Sequence, residues 1–234
     1  MSTSKNIKKG MKLYRYDVVE PPKDGWNTSF KSPIYIWDYE GPKNEIGAFF
    51  LFDSEKEALD VAKNVIVQRN DFLKSFNPQL SVWLTETTTT EDIQMLDLAG
   101  CKDVVDMYVT LWNENINVFR TDFYKLDKVF GSKPLSILLE DIKYLALEDG
   151  KKEKNKVSTC KCNIENFYNT YEDKEKLPYA CQELTDFSNG EIFKELLEKK
   201  GYEGYIFRET NANTFCLFHP NKLSKPQTII ISNI

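Results

Sequence analysis

The chain has 234 residues, enough for one large domain or two small ones and for a hydrophobic core without metal or disulfide staples. Hydrophobic residues make up 41% and charged residues 29%, the proportions of a globular protein, with a high aromatic share of 13%. The net charge of −5 and the lack of a basic stripe beyond Lys5, Lys8, Lys9 and Lys12 speak against general nucleic-acid binding through phosphates.

Residues 1–10, "MSTSKNIKKG", read as a flexible leader without the apolar core of a signal peptide. No later apolar run approaches the about 18 residues that span a bilayer, so a cytoplasmic protein with no membrane partner is expected. Residues 11–234 are expected to form a single α+β domain. "MKLYRYDVV" is β-prone and carries Arg15; "EPPKDG" ends it with prolines and a glycine. "PIYIWDY" predicts a second strand, and "GAFFLF", Gly47 to Phe52, a short central third one. A helix follows directly, with Ser54 and Glu57 at capping-box spacing and Ala58, Ala62, Val65 and Ile66 recurring at helical intervals.

"LSVWLTET" predicts another strand, Thr87 to Thr90 a threonine-rich loop, and "IQMLDL" the start of a new segment. Helices are expected from Lys102 to about Trp112 and over "SKPLSILLEDIKYLALED", whose apolar face runs through Leu135, Leu138, Leu139, Ile142 and Leu145. The lysine cluster after Gly150 predicts an exposed, mobile excursion at about 150–176. The cysteines, Cys101, Cys160, Cys162, Cys181 and Cys216, are odd in number and irregularly spaced, which favours free thiols over a disulfide framework. Cys160, Cys162, Cys181 and His219 lack the pairs, about two to four residues apart, of structural zinc sites, so no metal is expected. "SNGEIFKELLEKKG" is a well-signalled helix, with Ser188 and Glu191 at capping-box spacing and Gly201 placed for a left-handed C-terminal residue. "YEGYIF" and "TFCLF" then form a hairpin, and "PQTIIISN" a last strand, giving an α+β protein with a mostly antiparallel sheet.

No GxGxxG, P-loop or GxSxG is present, and the single histidine, His219, has no nucleophile motif beside it. Three segments do resemble a known family. "LYRY", "GAFFLFDSEKEALDVAKN" and "LLEKKGYEGYIFRETNANTFCLFHPNKL", with "SVWLTE" and "MLDL" between them, resemble the ADP-ribosyltransferase-like fold, in particular the divergent domains of bacterial toxins and of phage and mobile-element proteins. The resemblance spans most of Leu13 to Leu223 in short matches. It implies a mostly antiparallel split sheet with flanking helices around a cleft, NAD as substrate, a protein or other molecule as acceptor, and a cytoplasmic location or delivery into a host cell's cytoplasm.

The implied chemistry is cleavage of the bond between nicotinamide and ribose, which builds positive charge on the sugar. A carboxylate near the ribose stabilises that charge, a group on the first strand holds the dinucleotide, and aromatic rings stack on nicotinamide. The resemblance maps Arg15 and its neighbour Tyr16 onto the first-strand motif, Phe49, Phe50, Phe52 and Ser54 onto the second, and Tyr205, Asn213 and Thr214 onto the last. It also places the catalytic glutamate at Asn213 or Thr214, where none stands. Glu209, at the end of the preceding strand, is the candidate catalytic residue: either a loop movement carries it in, or it is a solvated hairpin residue. Arg15 is correspondingly a cofactor ligand or an ion-pair residue, and the three phenylalanines a nicotinamide platform or plain core. The functional expectation is therefore transfer of ADP-ribose or hydrolysis of NAD, the alternative being a catalytically silent binding or interaction module of the same fold.

Overall fold

The computed structural model describes residues 4–18, 20–21, 47–74, 77–101, 110–111, 113–116, 140–141, 143–145, 147, 149–171, 190–209 and 212–232. Their elements are β1 (Ser4–Ile7), β2 (Lys12–Asp17), β3 (Phe49–Phe52), α1 (Glu55–Leu73), β4 (Val82–Thr88), β5 (Ile93–Asp97), α2 (Lys154–Tyr171), α3 (Gly190–Lys199), β6 (Gly204–Glu209), β7 (Ala212–Leu217) and β8 (Gln227–Ile231). The fold is α+β, built on one large mixed sheet in the order β1-β5-β6-β7-β3-β2-β4-β8. All neighbouring strands run antiparallel except β5 and β6. A split sheet was expected; here the ladder is continuous, but its two parts meet through one registered pair, Tyr14↔Phe52. β2 and β4, by contrast, are in register from Lys12↔Thr88 to Asp17↔Trp83.

Alternation of side chains assigns each strand residue to one of two faces. Ala58 and Val61 of α1 pack on Phe52, Leu84, Ala212, Tyr14 and Tyr16, and Ala62 and Ile66 on Val18 and Val82. Small alanines at helical spacing bring α1 close to the sheet. Phe193 of α3 meets Tyr205 edge-on at 5.4 Å between ring centroids, so α3 covers the β6 end of the same face. On the opposite face Leu13, Leu51, Ile93, Met95, Ile206 and Phe215 form a second core cluster. Gly201 ends α3 at φ 82°, with Tyr202 N–H donating to Leu197 O at 3.0 Å and Gly201 N–H to Glu198 O at 2.9 Å, the paired bonds of a Schellman cap.

Three expectations need correction. Ser4–Ile7, inside the segment read as a leader, is an edge strand on β5: Ile7 is buried opposite Ile93, and Asp92 accepts from Lys8 Nζ and Lys9 N–H, each at 2.8 Å. Those bonds, Lys8 first, hold the Asp92 carboxyl below its usual value. Thr87 and Thr88, read as loop, end β4, and Thr89 bridges Leu223; the hydroxyl of Thr87 donates to Ser224 O and that of Thr89 to Lys8 O, so β-branched residues extend the strand with their polar atoms satisfied. The lysine-rich excursion holds α2, in which Lys154, Lys156 and Lys161 face solvent while Cys160 is buried beside Asp141. Burial, then Asp141, pushes the Cys160 thiol up to about 11. The expected strand "PIYIWDY" and the bulk of the helix from Lys102 lie outside the described residues. No helix among the described residues is long and apolar enough to cross a membrane.

Gly204 leaves no room for a side chain between its neighbours: an added Cβ would collide with the carbonyl oxygen of Cys216 and lie 2.9 Å from Met95 Cε. Gly204→Ala is expected to lower the unfolding free energy by about 3 kcal/mol, measured by urea denaturation. Gly100→Ala, whose added methyl would meet nothing within 4 Å, should change it by less than about 1 kcal/mol.

Candidate functional site

The sheet order β6-β7-β3-β2 sets side by side three segments that lie far apart in sequence. Phe52 stands opposite Tyr14 on β2 and Thr214 on β7; Cys216 stands opposite Phe50 on β3 and Tyr205 on β6; Arg208 stands opposite Asn213. All the sequence-predicted site residues therefore fall on four adjacent strands and the turn into α1.

They do not share one face. Tyr16, Phe52, Phe50, Tyr205 and Thr214 lie on the side that α1 and α3 cover. Tyr16 and Phe52 sit 6.1 Å apart in the core beneath α1, Phe50 meets Phe207 edge-on at 6.2 Å, and Phe207 stacks on Tyr205 at 5.8 Å. Phe49 and Arg15 lie on the opposite side, Phe49 in the core with Leu51 and Leu217. Of the three phenylalanines, only Phe50 retains partial exposure. Ser54 acts as a helix cap: its Oγ accepts from Glu57 N–H at 3.3 Å and its carbonyl from Ala58 N–H at 3.1 Å.

The opposite face carries a buried ion pair. Arg15 Nε donates to Asp17 Oδ1 and Oδ2 at 3.1 and 3.0 Å, and Nη2 to Oδ1 at 2.9 Å. Arg15 is 8% exposed and Asp17 1%. Two residues apart on one strand, they point the same way, and Arg15 registers with buried Thr85, whose Oγ1 lies 2.9 Å from Thr228 Oγ1 on β8. The sequence reasoning missed Asp17 and Thr85, although the alternation Leu13-Arg15-Asp17 already put opposite charges on one face. Burying two charges costs several kcal/mol per ion, and a close, hydrogen-bonded geometry of this kind offsets that cost.

At the outer end of the hairpin, Asn213 is half-buried opposite exposed Arg208, and Thr214 is fully buried. Glu209 closes β6 in register with Ala212; its side chain lies outside the described residues. The first turn of α1 brings more charge: burial, then Asp53 through its charge and a hydrogen bond, raises the Glu57 carboxyl above its usual value, against opposing pulls from Lys56 and Arg208. His219 Nε2 lies 2.8 Å from Glu198 Oε1, on the surface. Cys181 lies outside the described residues, and among the described ones no group of three or more His, Cys, Asp or Glu side chains could hold a metal ion.

No family model and no curated protein matches the chain. Among solved structures, a chain of the M. tuberculosis MbcT–MbcA toxin–antitoxin complex is similar at 11% identity and a TM-score of 0.40, over 97% of this chain and 87% of that one. That likeness is too slight to transfer a residue or an activity.

Arg15→Met is expected to destabilise the protein by about 3–5 kcal/mol, because it removes the guanidinium that offsets the charge of the buried Asp17 carboxylate. The double variant Arg15→Met with Asp17→Leu should lose clearly less, and chemical denaturation of both variants checks the difference. A second expectation concerns pH. A carboxyl whose pKa is raised on folding contributes stability that is complete below its unfolded value and lost as pH rises through the folded one. Glu57→Gln should flatten that part of the stability curve in thermal denaturation across the acid range; an unchanged slope would contradict the assignment.

Proposed function

We propose that the chain is an ADP-ribosyltransferase-like protein that binds NAD and transfers ADP-ribose to a protein or other acceptor, or hydrolyses NAD. The observation that carries this reading is the adjacency of β2, β3, β6 and β7, which hold strands from the three segments, residues 13–16, 47–64 and 196–223, on which the family resemblance rests. Arg15, its guanidinium orientation fixed by Asp17, supplies the cation for the dinucleotide. Phe50 supplies the partly exposed ring for nicotinamide stacking, and Asn213 a polar group at the start of β7. Glu209, one hairpin turn away from Asn213, is the carboxylate for the positive charge that develops on the ribose.

A second reading has specific support. Of the two positions at which the resemblance places the glutamate, Asn213 and Thr214, neither is a carboxylate and Thr214 is fully buried opposite Phe52, while the charge of Arg15 is already balanced by Asp17. These features favour a silent module that keeps the fold and binds without turnover.

Calorimetric titration with NAD, combined with assays for nicotinamide release and for transfer of labelled ADP-ribose into a cell extract, separates the readings. An active enzyme binds NAD and releases nicotinamide, and Glu209→Gln lowers turnover by about a hundredfold while NAD binding is retained. Binding without release or transfer identifies the silent module. A folded sample that shows no heat of binding and no turnover contradicts NAD binding in either reading and leaves a protein-interaction role for the fold.

A further inference from the structure

The two ends of the sheet are built differently. β1, at one end, is four residues long, with exposed Lys5 and Asn6, features that discourage pairing with another strand. β8, at the other end, reads Gln-Thr-Ile-Ile-Ile, carries no charge, and has its only proline, Pro226, before it rather than within it. On its inner side β8 pairs with β4 from Val82↔Ile231 to Glu86↔Gln227, and its outer side has no partner among the described strands. Ile229 and Ile230 remain 57% and 62% exposed, two of the four exposed large hydrophobic residues in the described part of the chain, and they project to opposite faces of the same edge.

We infer that β8 is the interface of a homodimer, formed when the β8 strands of two copies pair antiparallel and continue one sheet into the other. The face assignment fixes the register. A two-fold axis perpendicular to the sheet keeps each side chain on its own face, and directly opposed antiparallel residues share a face, so one residue must oppose its own copy. Ile229 in that position gives the fullest overlap of Gln227–Ile231. It also sets Thr228 against Ile230 of the second copy, so apolar surface is covered on both faces. The strand's own composition points to a second copy as the occupant: a neutral strand opposes no like charges when it meets itself, although the whole chain carries −5. The Lys12–Glu86 ion pair at the Gln227 end of the β4–β8 ladder is likewise neutral in sum.

Sedimentation equilibrium of the full chain over a concentration series tests this directly. The expected result is a mass twice the 27.3 kDa of one chain, reverting to one chain in Ile229→Lys, with dissociation shifted by at least about tenfold. A cysteine pair reads the same contact without adding charge. Ile229→Cys should form an intermolecular disulfide on oxidation beyond that of the unmodified chain, since opposed Cα atoms lie about 4.5–5.5 Å apart, whereas Gln227→Cys, opposed to Ile231, should not. A single-chain mass at high concentration overturns the inference and leaves the edge to some other partner. A dimer that survives Ile229→Lys, or that cross-links equally well through Gln227→Cys, overturns it too.

Discussion

The geometry of the molecule turns on the contact between Tyr14 and Phe52, the single registered pair that joins β2 to β3. On one side of it, β3 continues through β7 and β6 to β5 and β1; on the other, β2 continues through β4 to β8. Strand pairs normally gain stability from several successive cross-strand contacts, and here one pair must keep the two parts in plane. The helix α1 makes that feasible: Ala58 and Val61 pack at once on Phe52 and on Tyr14, Tyr16 and Leu84, clamping both sides of the seam. Through this clamp the first-strand segment reaches the aromatic run of β3 and the final hairpin.

The same alternation that allows the clamp imposes a separation. Tyr14 and Tyr16 must face α1 to fill the seam, so Leu13, Arg15 and Asp17 must face the other way. A dinucleotide held by these strands would therefore meet aromatic and polar groups from different sides of the sheet, or reach them around its end near Ser54, Arg208 and Asn213. Asp17 gains importance from that constraint. A guanidinium bound along one edge by a buried carboxylate is rotationally fixed, and a fixed cation loses less conformational entropy on engaging an anionic ligand.

Much of the architecture was legible because it is locally encoded. The run ending at Phe52 with Ser54 as cap, the helix ending at Gly201, and the hairpin between Tyr205 and Phe215 each carry their own start and stop signals. What was not legible depends on distant partners. Only one apolar residue, Ile7, marks β1 as a strand, and its reason for order is Ile93. The lysines of α2 disguised a helix whose buried side includes Cys160 packed beside Asp141. The parallel pairing of β5 with β6 likewise joins segments about a hundred residues apart, Leu96 with Tyr205. The residues singled out from sequence fall on adjacent strands but not on one face: Ser54 is a cap, Phe49 and Phe52 are core, and Asp17 went unread although it stands two residues from Arg15.

Backbone amide chemical shifts, followed by NMR during a titration with NAD, test most directly the claim that these neighbouring strands form one dinucleotide site. The largest changes are expected to gather in Arg15 to Asp17, Phe49 to Ser54 and Arg208 together with Ala212 to Thr214, with the β1–β5 end of the sheet unmoved. Saturating NAD that leaves those three segments unchanged, or that shifts residues only at the β1–β5 end, would contradict it.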